Sequence, residues 1–129
     1  MTSASQKPLG VDGSDFLSPS QFTDVLGAAC WLMTMSKAHR LQPISLIEDR
    51  ILPGLLLKQF RLIKHENQPK AFLSWATVSD DVLERFELDN KLTLKDWRSG
   101  PNIRVVECIS PFADPDLVRS EFLKKIATK

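Results

Sequence analysis

Glycine-rich phosphate cradles are missing from this chain. Its five glycines form neither a Gly-x-Gly-x-x-Gly nor a Gly-x-x-x-x-Gly-Lys pattern, which argues against nucleotides, dinucleotides and the pyrophosphate of coenzyme A. Cysteine is scarce too. Cys30 and Cys108 are the only two, each in an apolar segment with no Cys or His at ligand spacing. A structural zinc is therefore not expected, no bound cofactor is implied, and both thiols are read as free. No stretch approaches the roughly 18 apolar residues of a membrane-spanning helix. No basic patch followed by an apolar run stands at the start of the chain. These absences lead to the expectation of a soluble, cytoplasmic protein with no integral membrane segment. An excess of one charge is lacking as well: 17 Lys and Arg balance 16 Asp and Glu along the whole length, for a net charge of +1. That leaves no global attraction to nucleic acid.

What the chain does have is enough apolar material, 43% of 129 residues, for one sizeable core. Residues 1–17 are rich in Ser, Gly, Asp and Pro and read as a flexible leader; 18–129 read as a single domain. Ser18, Pro19 and Gln21 spell a capping box with proline at the first helical position, and Leu17 and Phe22 form a candidate hydrophobic staple. Phe22, Val25, Leu26, Ala29 and Met33 then recur at helical spacing. Pro43 predicts the end of that helix, leaving Ser36 to His39 at its end or in the loop beyond. A short helix is expected over 43–52, stopped by Pro53-Gly54. A strand over 56–64, a turn at Glu66–Pro69 and a strand over 71–78 read as a hairpin. A helix over 80–89, a turn at 97–101, a strand over 103–109 and a helix capped by Asp114 with Pro115 at its start complete the reading.

Three residues stand out chemically. Strand alternation over 103–109 groups Glu107 with Ile103, Val105 and Ile109, a carboxylate on an apolar face. A buried carboxylate needs a cation, a hydrogen-bond donor or a proton, so Glu107 reads as the structural partner of a group such as an arginine or as a catalytic carboxylate, unless the strand register itself is misassigned. His39 follows an apolar helix, where an imidazole able to exchange protons near neutral pH could meet a cleft, or could simply end the helix. Ser36 lies three residues before it and could face it. It could then hold His39 or, with Glu107, complete a Ser/His/carboxylate triad. His65 reads as an exposed loop residue.

Several segments in order resemble the lysine acyltransferases that activate RTX toxins. They are Leu26-Gly27 with Trp31-Leu32, then Ser36-Lys37-Ala38-His39-Arg40 with Pro43-Ile44-Ser45. Pro53, Gln59 and the run Gln68 to Ala76 follow, then Asp96-Trp97-Arg98-Ser99-Gly100 and Ile109-Ser110-Pro111-Phe112. The resemblance covers roughly residues 24–125. It implies an α/β fold of the α+β type, similar to the GNAT acyltransferases, with a central mixed sheet flanked by helices and truncated at the C-terminus.

It also implies transfer of a fatty acyl group from acyl-acyl carrier protein to a lysine ε-amine of a protoxin or another protein or peptide. His39 takes the position of the catalytic base. Glu107 falls where the family usually has an aspartate, with a reach longer by about 1.5 Å. Ser36 or a backbone N–H is expected to steady the oxyanion. Trp31, Phe72 and Trp75 are candidates to line the acyl channel, with a place in the core as the alternative. Arg61, Lys64, Arg98 and Arg104 are candidates to meet an acidic carrier protein, or else solvated. The shortened chain admits a homodimer, and the Asp-to-Glu change leaves open a second function: a binding protein on the same scaffold that has lost activity.

Overall fold

The computed structural model describes residues 16–127; of the expected leader, all but Phe16 and Leu17 lie outside them. Helix α1 spans Pro19–Met35, and both halves of the capping box form: the Ser18 hydroxyl accepts from the Gln21 N–H, and the Gln21 side chain accepts from the Ser18 N–H. Leu17 and Phe22 pack against the same core cluster. The helix stops at Met35, earlier than Pro43 alone requires, because Ser36 adopts an extended backbone.

The next segment departs from expectation. Pro53-Gly54 does not stop a helix. A five-residue π-helical turn, Ile47–Ile51, runs directly into α2, Leu52–Leu57, with Pro53 in the first turn of α2. Proline has no N–H to give and crowds the carbonyl four residues back, so the helix widens ahead of it instead of breaking. Residues 56 and 57 are consequently helical, and β1 begins only at Phe60. Gly54 serves packing. A Cβ there would lie 2.9 Å from the Ser74 Cβ, so its absence lets α2 press on the sheet.

Strands β1 (Phe60–His65) and β2 (Gln68–Val78) are joined by Glu66 and Asn67, both at positive φ, which is the two-residue turn that suits strand twist. The turn is thus shorter than the expected Glu66–Pro69, and Pro69 lies inside β2 beside a register shift. Helix α3 (Asp80–Asp89), a 3₁₀ turn (Leu94–Trp97) and β3 (Asn102–Ile109) follow, and α4 (Pro115–Ala127) is the last element of the described residues, with the Asp114 carboxylate accepting from the Asp116 N–H. The sheet order is β1-β2-β3, and both pairings are antiparallel. The expected mixed sheet is corrected here: Val78 pairs with Asn102, so the long β2-to-β3 connection leaves and returns at one end of the sheet without crossing it. Among the described residues, an isolated bridge between Thr77 and Arg98 is parallel.

Helix α1 and the π-turn with α2 cover one face of the sheet through Leu32, Ile51, Leu55, Phe72 and Ile109. Helix α4 covers the other through Phe122, against Leu73, Val105 and Cys108. Gly100 locks the end of β2: its N–H donates to the Thr77 carbonyl, and a Cβ on it would fall 2.4 Å from the Ser79 Cα. Gly100→Ala is expected to cost about 3 kcal/mol, because that contact is backbone and cannot yield. A lowered urea midpoint at unchanged slope would show it.

Candidate active site

Ser36, His39 and Glu107 converge, at 7%, 8% and 9% exposure, at the floor of a cleft of about 1050 Å³. A tight turn after α1 brings the first two together. The Ser36 carbonyl accepts from the N–H groups of both His39 and Arg40, which folds the chain back and sets the Ser36 Oγ 2.6 Å from the His39 Nδ1. The facing of these side chains therefore comes from a turn beyond the helix and not from a last helical turn.

Glu107 arrives by a different route from the one strand alternation suggests. Ser74 pairs with Glu107 but Trp75 pairs with Val105, so Val106 is an extra residue in β3. Such a bulge breaks the alternation. Val105 sits with Leu73 and Cys108 under α4, whereas Val106 packs with Ala76, Val78 and Trp97 elsewhere. Glu107 is released toward the π-turn, and the grouping with Val105 is corrected.

The carboxylate is held on three sides. Its Oε1 lies 3.0 Å from the His39 Nε2 and accepts from the Cys108 N–H at 3.0 Å, and its Oε2 accepts from the Arg50 Nε at 3.0 Å. Burial pushes the Glu107 carboxyl up, but the hydrogen bond from His39, the charges of Arg50 and His39 and the Cys108 N–H outweigh it and hold the group below its ordinary value. An ionised carboxylate only accepts, so Nε2 carries a proton in either form of the ring, and in the neutral form the Nδ1 lone pair faces the Ser36 hydroxyl. The arrangement is an imidazole with one nitrogen on a carboxylate and the other on a hydroxyl that lines the cleft.

Arg50 is the site residue that sequence reasoning missed. It lies in the π-turn, its guanidinium also donates to the Val106 carbonyl, and its own carbonyl accepts from the Ser74 Oγ at 2.8 Å. The one signal pointing to it was Glu107's need for a cation.

The other expected site residues are elsewhere. Phe72 is wholly buried in the main core, stacked on Phe60. Trp75 lies on the opposite face, 4.7 Å from Phe122. Trp31 is 46% exposed on α1 and touches Phe112. Together they line no common channel. Arg98 clamps the interior, donating to the Gln59 Oε1 at 2.6 Å and to the Leu57 carbonyl. Arg61 lies over Phe122, and Arg104 pairs with Glu87 at 2.9 Å. The cations that line the cleft are instead Arg50, Arg85, Lys91 and Arg119. His65 is exposed as expected, but it is the last residue of β1, paired with Gln68, and not a loop residue.

Among the described residues no three His, Cys, Asp or Glu side chains gather as a metal site, and no helix is long and apolar enough to cross a membrane.

The comparisons with known proteins agree on one family. A model of the RTX toxin acyltransferase family matches residues 18–129. The protein-lysine myristoyltransferase RtxC of Kingella kingae is 31% identical over 100 residues, 77% of this chain and 60% of that protein. The RTX-II toxin-activating lysine-acyltransferase ApxIIC of Actinobacillus pleuropneumoniae is 32% identical over 96 residues, 74% of this chain and 60% of its own. The protein-lysine myristoyltransferase HlyC of Escherichia coli is 31% identical over 103 residues, 79% of this chain and 59% of its own. The chain thus spans about 60% of the length of these curated relatives. With the family model matched over nearly the whole chain, this protein belongs to the RTX toxin acyltransferase family.

Proposed function

We propose that the chain is a protein-lysine acyltransferase, moving a fatty acyl group from acyl-acyl carrier protein to a lysine ε-amine of an RTX protoxin or similar protein, with His39 as general base. The observation that carries this reading is the buried Ser36–His39–Glu107–Arg50 array at the floor of an open cleft. Family membership supplies the reaction class, and the GNAT-like scaffold remains part of the same proposal.

In this mechanism the acceptor lysine, with an ordinary pKa of about 10.4, sheds one proton to water and presents a free amine. Its nitrogen attacks the thioester carbonyl carbon. As the C–N bond forms, the second proton passes through the Ser36 hydroxyl to the His39 Nδ1, while Glu107 and Arg50 stabilise the imidazolium. The C–S bond breaks, and the carrier thiolate takes the proton from His39 and leaves as a thiol. A covalent route through an acyl-Ser36 would use the same hydrogen bond. Labelled acyl group trapped on the protein after mixing with acyl carrier protein alone would put that route in place of the relay.

The contact of 3.0 Å between Glu107 and His39 argues against the second function, a binding protein weakened by its longer acid. Glu107→Asp draws the carboxylate back by about 1.5 Å, and transfer is expected to fall about tenfold in steady-state assays. The overall reading is tested by following carrier thiol. Release that depends on a lysine-bearing acceptor supports transfer; release at the same rate without the acceptor makes the protein a hydrolase instead.

A further inference from the structure

His39 lines two clefts of different make-up. The large one mixes apolar side chains such as Leu46, Phe86 and Leu92 with charged groups, including Asp49, Arg50, Arg85, Lys91 and Arg119. On the other side lies a groove of about 220 Å³, walled mainly by Cys30, Met33, Pro43, Ile44 and Ile47. His39, Gln42 and Pro43 belong to both. The polar side chains that also line the groove are Thr34, Arg40 and Gln42. The Thr34 hydroxyl donates to the Trp31 carbonyl at 2.6 Å, the Gln42 amide donates to the Ala38 carbonyl, and Arg40 is exposed. Burial pushes the Cys30 thiol up, so it remains an uncharged wall at neutral pH.

The groove also opens onto an anomaly. Leu41 is 91% exposed and Ile44 81% exposed, two large apolar side chains facing water in the loop that carries His39. A transferase that joins a hydrocarbon chain to a charged lysine must bring two unlike substrates to one base. Here a mainly apolar groove and a cleft that carries charged groups meet at that base.

We propose that the groove of Cys30, Met33 and Ile47 holds the acyl chain of the donor, running out past Ile44, while the large cleft admits the acceptor lysine. This rests on the acyltransferase reading and specifies which side of His39 each substrate occupies. Every methylene buried in the groove strengthens donor binding by roughly fourfold, so the site favours long chains over short ones.

Two variants test it with butyryl and myristoyl carrier protein as paired donors. Cys30→Trp fills the groove. Ile44→Asp puts a charge at its mouth, at a position exposed enough for the fold to tolerate it. Each is expected to lower the ratio of myristoyl to butyryl transfer by about tenfold or more. A ratio unchanged in both variants overturns the inference while leaving the transferase reading intact. A readout that needs no turnover separates the two claims: alkylation of Cys30 by N-ethylmaleimide, mapped by peptide mass. Slowing by myristoyl but not butyryl carrier protein supports the groove even if no lysine is ever acylated. Equal alkylation with both donors rejects it.

Discussion

Replacing His39 with alanine is expected to lower acyl transfer by about 10²–10⁴-fold, the usual contribution of a positioned general base. The loss falls on turnover more than on donor affinity, because the imidazole sits between the two clefts without supplying most of the wall of either. Ser36→Ala is the companion measurement. Removing the hydroxyl leaves the Nδ1 2.6 Å from nothing that can relay a proton, yet a water can enter the space. Its loss is therefore expected to be smaller than that of His39→Ala. If Ser36→Ala were as inactive as His39→Ala, the covalent route through Ser36 would gain at the expense of the relay.

The second large effect concerns Arg50. Arg50→Met keeps the length of the side chain but removes the cation that faces the Glu107 Oε2. Breaking a largely buried pair from one side leaves an uncompensated charge, and the half-open position of Arg50 places the cost at about 2–3 kcal/mol near neutral pH.

The direction with pH follows from linkage. The folded state holds the Glu107 carboxyl below its ordinary value, so its stabilisation is complete above that ordinary value and is lost as pH falls through the lower folded one. Without Arg50 the burial effect, which raises the carboxyl, is opposed by fewer partners. The acid-unfolding midpoint of Arg50→Met is then expected at higher pH than that of the natural chain. Circular dichroism during acid titration measures it, and coincident midpoints would show that Arg50 does not hold Glu107.

Local signals carried much of the fold. The Ser18 box and Asp114 before α4 satisfy backbone N–H groups that a helix start leaves open, and both appear where the sequence puts them. The errors arose where a nonlocal contact decides. Proline usually ends a helix, but the π-turn ahead of Pro53 accommodates it, and Gly54 is there because α2 presses on Ser74. Alternation assigned Glu107 to one face, but the bulge at Val106, visible only in the pairing with β2, sends it to the other.

The site was legible to the same extent. Ser36 and His39 are three residues apart, so a local turn suffices to join them. Arg50 reaches Glu107 from 57 residues away, and no spacing rule links the two. Phe72 and Trp75 lie three residues apart in one strand and so point to opposite faces, and an aromatic-rich run cannot by itself mark a channel. The cations suffered the same ambiguity. Arg98, prominent in the sequence, is spent on Gln59 and the end of α2, whereas the less conspicuous Arg85 and Arg119 face the cleft.

The central claim, that His39 drives acyl transfer to lysine, is tested most directly by intact mass spectrometry of a purified RTX protoxin fragment bearing candidate lysines. The fragment is incubated with myristoyl carrier protein and either the natural chain or His39→Ala. The result expected is a mass gain of one myristoyl group per modified lysine with the natural chain and none with the variant on the same timescale. An equal gain with both proteins, or none with either while a full-length relative modifies the same fragment, would contradict it.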